Sequence, residues 1–89
     1  MVQHKYEARA TLGRWAELKF QLDALENGLV VYAPVQSYPH VDCVVGNGSR
    51  LFRVQVKASS IIANHGARVG GYRFWRGGRL GTGFTSDSF

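Results

Sequence analysis

Cysteine is almost missing from this chain, and acidic residues are few. Cys43 stands alone among 89 residues. A single thiol forms no intramolecular disulfide and supplies no four-thiolate metal site, so a disulfide scaffold and a zinc ribbon are both excluded. Cys43 then reads as a buried strand residue. No apolar run approaches the roughly 20 residues of a membrane span, and residues 1–6 carry no secretory signal. The expectation is a cytoplasmic, intracellular protein. Walker and G-x-G-x-x-G motifs are absent, as is any Ser-His-Asp or Cys-His arrangement, and His4, His40 and His65 form no metal set. Six acids stand against eleven Lys and Arg, a net charge of +5. Such a balance fits an anionic partner, most commonly nucleic acid. What is present is 45% hydrophobic and 19% charged, the balance of a globular chain. Its length is that of one small domain, 1–89.

Residues 6–27 read as a helix. Leu12, Trp15, Leu18, Leu22 and Leu25 form an apolar stripe, and Gly28 suits the position just past a helix end. Gly13 costs about 1 kcal/mol relative to Ala inside a helix. It points either to a start capped by Thr11 or to close approach of a neighbour. At about 100° per residue, Gly13, Ala16, Phe20 and Ala24 share a second face, with Glu17 at its edge. Small residues there let a helix lie tightly on a sheet. Leu29–Ala33 reads as a short strand stopped by Pro34, and 36–40 as a loop. Val41–Val45 is the second strand, headed by Asp42, a residue strands disfavour. Gly46-Asn47-Gly48 is a hairpin turn, with Asn47 and Gly48 in the two left-handed positions of type I′. Leu51–Ala58 is the third strand, antiparallel to the second. A loop is expected at 59–71, with His65, Gly66, Gly70 and Gly71. A second hairpin follows, Tyr72–Arg76 and Arg79-Leu80 joined by Gly77-Gly78, and then a Gly/Ser/Thr-rich tail. The fold class is α+β: a long N-terminal helix packed on a small mixed sheet that ends in a β-hairpin.

In the third strand Arg53, Gln55 and Lys57 fall on one face, and Phe52, Val54, Val56 and Ala58 on the other. Asp42 heads the neighbouring strand and Glu17 rides the helix. Two carboxylates, an amide and a lysine are thus drawn toward one sheet edge. Phosphodiester hydrolysis needs an activated water and charge stabilisation at phosphorus, and Mg²⁺ on oxygen ligands supplies much of both. Asp42, the Gln55 amide oxygen and the Val56 carbonyl are candidate ligands, with Glu17 binding directly or through water. Lys57 offers a fixed positive charge. Beyond residue 60 the cations are Arg68, Arg73, Arg76 and Arg79, interleaved with Tyr72, Phe74 and Trp75, and the sole acid is Asp87. That mixture suits phosphate contacts and packing on bases or sugars. Ser59 and Ser60 are further phosphate-binding candidates.

Gly13-x-x-Ala16-Glu17, Val41-Asp42 and Gln55-Val56-Lys57-Ala58-Ser59, in that order, resemble the PD-(D/E)XK nuclease superfamily. The likeness is closer to its intron-encoded homing endonucleases, in which glutamine replaces the second acidic residue. It covers roughly residues 10–60 and includes Gly28-x-Val30 and Pro34. The resemblance implies a restriction-endonuclease-like core, Mg²⁺ with Mn²⁺ as a substitute, and cleavage of double-stranded DNA. It also implies the catalytic set Glu17, Asp42, Gln55 and Lys57, with metal held by Asp42, Gln55, Val56 and Glu17. A Holliday-junction resolvase shares the fold and stays open as an alternative, as does a DNA-binding module without catalysis. Once the Gly13/Phe20 face meets the sheet, Trp15, Leu18, Leu22 and Leu25 lack a partner, so a homo-oligomer, dimer or higher, is expected through that stripe.

Overall fold

A computed structural model describes residues 5–62, 68–77, 79–81, 83–84 and 88–89, with side chains described from Ala10 onward except at 60–70. The chain forms the expected α+β arrangement. Helix α1 (Lys5–Glu26) is followed by β1 (Val30–Tyr32), β2 (Cys43–Gly46), β3 (Leu51–Ile62), β4 (Arg68–Arg76) and β5 (Arg79–Gly81). The strands lie in the order β1-β2-β3-β4-β5, and every pairing among the described residues is antiparallel. A parallel pair, which a mixed sheet would contain, needs a crossover of about a dozen residues or more. Each strand here instead pairs with its neighbour in sequence.

One face of α1 covers one face of the sheet. Ala16, Phe20 and Ala24, spaced four apart, are fully buried. The two alanines let the helix approach closely, and Phe20 fills the space between them. Its ring meets Tyr72 edge-on at 5.7 Å and lies 5.0 Å from Phe74. Cys43, Val45, Val54 and Val56 complete the floor. A hydrogen bond from the Tyr72 hydroxyl to Asp23 Oδ2 ties the helix to β4, and Lys19 pairs with the other Asp23 oxygen at 2.8 Å. The helix stops as its glycine predicts. Gly28 has φ 78°, Leu29 N–H bonds the Ala24 carbonyl and Gly28 N–H that of Leu25, the paired closure of a Schellman motif. No described helix is long and apolar enough to cross a membrane.

Three local expectations are corrected. The loop placed at 59–71 is largely strand: β3 runs on to Ile62, β4 starts at Arg68, and Ser59 pairs with Gly71. His65 and Gly66 lie outside the described residues, as does Gly78 of the second turn. In the β2–β3 turn only Gly48 has positive φ (94°). Asn47 instead accepts the Ser49 and Arg50 N–H groups on its side-chain oxygen. Positive φ at the first central residue alone is the pattern of a type II′ turn. The tail also folds back: Phe84 and Phe89 stand 5.6 and 6.0 Å from Phe20.

Gly13 lies inside α1, and a Cβ added there meets nothing. Neither the Thr11 cap nor a close neighbour explains it. Gly13→Ala is therefore expected to raise stability by about 1 kcal/mol. Gly81→Ala is expected to lower it, because a Cβ there runs into the buried Phe74 ring. Thermal unfolding of the two variants checks both signs.

Candidate active site

The β2–β3 ladder ends at Asp42, and that ending builds the site. Tyr38 to Val41 form a tight turn with Pro39 at its second position and His40 at φ 62° at its third, closed by Val41 N–H to the Tyr38 carbonyl at 3.3 Å. That is type II geometry, which asks for positive φ at the third residue. The turn delivers Asp42 alongside β3. Its N–H donates to the Val54 carbonyl at 2.7 Å, and its Oδ2 accepts the Val56 N–H at 2.7 Å. A carboxylate thus takes the place of the next backbone partner. In an antiparallel strand the N–H and C=O of one residue leave by the same edge. The Val56 carbonyl is therefore presented on the Asp42 side.

Glu17 follows the buried Ala16 on α1 and is itself half-buried. Burial raises its carboxyl above the ordinary 4.5, and the Asp42 carboxylate beside it raises it further by hydrogen bond and charge. Arg14, whose Nη1 lies 3.5 Å from Glu17 Oε2, works the other way. The two carboxyl groups line an open cleft of about 230 Å³ with Arg14, Gln21, Ser37 and Tyr38. Cys43, fully buried behind Asp42, has its thiol pushed up to about 12, by burial first and then by Asp42 and Glu17. It is an inert core residue.

Gln55 and Lys57 stand elsewhere. Val54 and Val56 are buried under α1, so strand alternation turns Gln55 and Lys57 to the opposite face. Gln55 is paired with Trp75, and Lys57 Nζ lies 5.8 Å from the Trp75 ring. The structure brings Glu17 and Asp42 together on the helix side of the rim and places Gln55 and Lys57 on its far side, flanking Val56. Among the described residues no three His, Cys, Asp or Glu side chains gather for a metal. The donors at the rim fit a hard cation nonetheless: two neighbouring carboxylates and a carbonyl on the same edge.

The arginines divide as well. Arg73 pairs with Lys57 and shares its face. Arg76 pairs with Val54 and lies on the helix side, over Phe52 at 4.9 Å and Phe89 at 5.2 Å. Arg79 is exposed on edge strand β5, and Ser59 is half-buried. The side chains of Ser60 and Arg68 lie outside the described residues. Arg14 carries a contact that the reading of single motifs missed. Arg14 was legible as the residue three before Glu17 on a helix. No family model, curated protein or solved structure matches this chain.

A carboxyl raised in the folded state contributes stability in full below its unfolded value, here 4.5, and loses it as pH rises through the folded value. Glu17→Gln is accordingly expected to be more stable than the parent at about pH 7, with the gain gone at about pH 4. Denaturant titrations at the two pH values check the sign. The exposed Arg14 contact that is lost is worth little.

Proposed function

We propose that this chain is a metal-dependent endonuclease acting on double-stranded DNA, of the homing-endonuclease kind. The observation that carries this reading is the Glu17–Asp42 carboxyl pair, fixed at the β3 edge by the Val56 N–H. Asp42, Glu17 and the Val56 carbonyl would hold Mg²⁺ or Mn²⁺, with Gln55 completing the set from across the rim. The bound cation supplies charge stabilisation at the phosphate and activation of water. Asp42 is rigid because one oxygen is committed to the backbone. Glu17 stands beside Asp42 at the cleft, placed to bind the cation directly or through water. Lys57 brings its ammonium to the phosphate from the open face once released from Trp75. A junction resolvase would use the same groups on a branched substrate. A second reading, DNA binding without catalysis, draws on the separation of Lys57 from the carboxylates across the rim.

One assay separates these readings: duplex plasmid and a four-way junction, each with and without Mg²⁺. Mg²⁺-dependent duplex cleavage is expected. Asp42→Ala and Lys57→Ala should lower it about a hundredfold or more, the several kcal/mol that metal and charge contribute. DNA affinity should be retained by Asp42→Ala, whereas Lys57→Ala also gives up a phosphate contact. Full cleavage by Asp42→Ala would refute the site. Junction-only cleavage would favour the resolvase, and binding without cleavage the module.

The proposed enzyme assembles through α1. Leu12, Trp15, Leu18, Leu22 and Leu25 are between 39% and 57% exposed. From Trp15 to Leu25 the spacing is three, four, three, that of a seam made for another helix. Burying one leucine fully contributes about 1.5–3 kcal/mol. Arg14 lies toward one end of the stripe and Glu26 toward the other, so an antiparallel second copy brings opposite charges together. Two copies also bring two carboxyl pairs to one duplex. Light scattering should find a dimer or higher for the parent and a folded monomer for the Leu18→Glu, Leu22→Glu double variant. A parent that is monomeric at micromolar concentration would refute the interface.

A further inference from the structure

The helix covers one face of the sheet, and among the described residues no element covers the other, here called the bare face. Register places Tyr32, Val44 and Arg53 in one row of the bare face, Gln55, Trp75 and Leu80 in another, and Lys57 with Arg73 in a third. None of the five strands contains Asp or Glu. Glu7, Glu17, Asp23 and Glu26 are on α1, Asp42 is at the rim, and Asp87 lies outside the described residues. Among the described residues, Arg53, Lys57 and Arg73 meet no carboxylate within ion-pair distance. Lys57 and Arg73 lie directly opposite each other, an arrangement of like charges that is unfavourable by itself. Both instead lean on Trp75, at 5.8 and 5.9 Å from its ring.

We infer that this bare face is the docking surface for the sugar-phosphate backbone of nucleic acid, with Arg53, Lys57 and Arg73 on phosphates and Trp75 packing against a sugar or base. The inference rests on the nuclease reading for its partner and deepens it by naming the surface. Arg53 and Lys57 are four residues apart on β3, about 13 Å. With Arg73 on the next strand they form a track of unpaired cations, complementary to a polyanion. An aromatic between cations on a flat sheet suits nucleic acid better than an acidic protein, because bases and sugars offer packing surfaces beside their phosphates. Arg76 is excluded from this surface, since its guanidinium is spent on Phe52 and Phe89 on the other side.

The test measures duplex DNA binding by the full chain across a salt series without Mg²⁺. Arg53→Ala and Arg73→Ala should each lower the slope of log affinity against log salt by up to about one unit. Trp75→Leu should weaken binding about tenfold at fixed salt with little change in slope. Arg76→Ala should leave the slope alone. Far-UV dichroism confirms that each variant is folded. Unchanged slopes for both Arg53→Ala and Arg73→Ala overturn the surface, even if the parent cleaves DNA. Binding to phosphatidylserine vesicles without binding to DNA also overturns it. Lowered slopes in a parent that never cleaves keep the surface and end the catalytic reading, so the two fail separately.

Discussion

Everything at the rim depends on one hydrogen bond, from the Val56 N–H to the Asp42 carboxylate. β2 is four residues long and β3 is twelve. Beyond the end of β2, no strand among the described residues lies beside the β3 edge and its backbone groups. A partly buried N–H left unpaired would cost about 1–3 kcal/mol. Asp42 meets it with a charged acceptor, the stronger kind of bond. The same bond fixes a carboxylate beside Glu17. Stability of the edge and chemistry of the site thus rest on one side chain.

The separation of charge follows from the architecture. A helix lying on a sheet has one inner and one outer face, and the sheet likewise. Acids collect on the helix and at the rim, whereas the strands carry only cations. The raised carboxyl of Glu17 fits this arrangement, because a group crowded by Asp42 and burial gains most from a nearby cation.

Much of this was legible in the sequence. The helix, its glycine stop, its buried Ala16/Phe20/Ala24 face and the two hairpins came from periodicity and turn chemistry. Nearness of Glu17 to Asp42 was legible because both sit beside core positions. The rest was not, for physical reasons. Ser59-Ser60 and Gly70-Gly71 read locally as loop, yet cross-strand pairing holds them extended. Asn47 found a better bond as a side-chain acceptor than as a left-handed residue. The expected convergence of Gln55 and Lys57 with the carboxylates is not found, because alternation with the buried Val54 and Val56 puts both on the face away from the helix that carries Glu17. The phenylalanines of the tail had no periodicity to announce them.

The meander has a kinetic consequence. Each strand pairs with its neighbour in sequence, so the sheet can zip outward from the β2–β3 turn while closing only short loops. Such pairings are local for a sheet, and local contacts favour fast folding. Phe20 is the exception, since its ring waits for Tyr72 and Phe74, more than fifty residues along the chain. The carboxyl pair has one member on each side of the helix–sheet interface, so it exists only when the helix is docked.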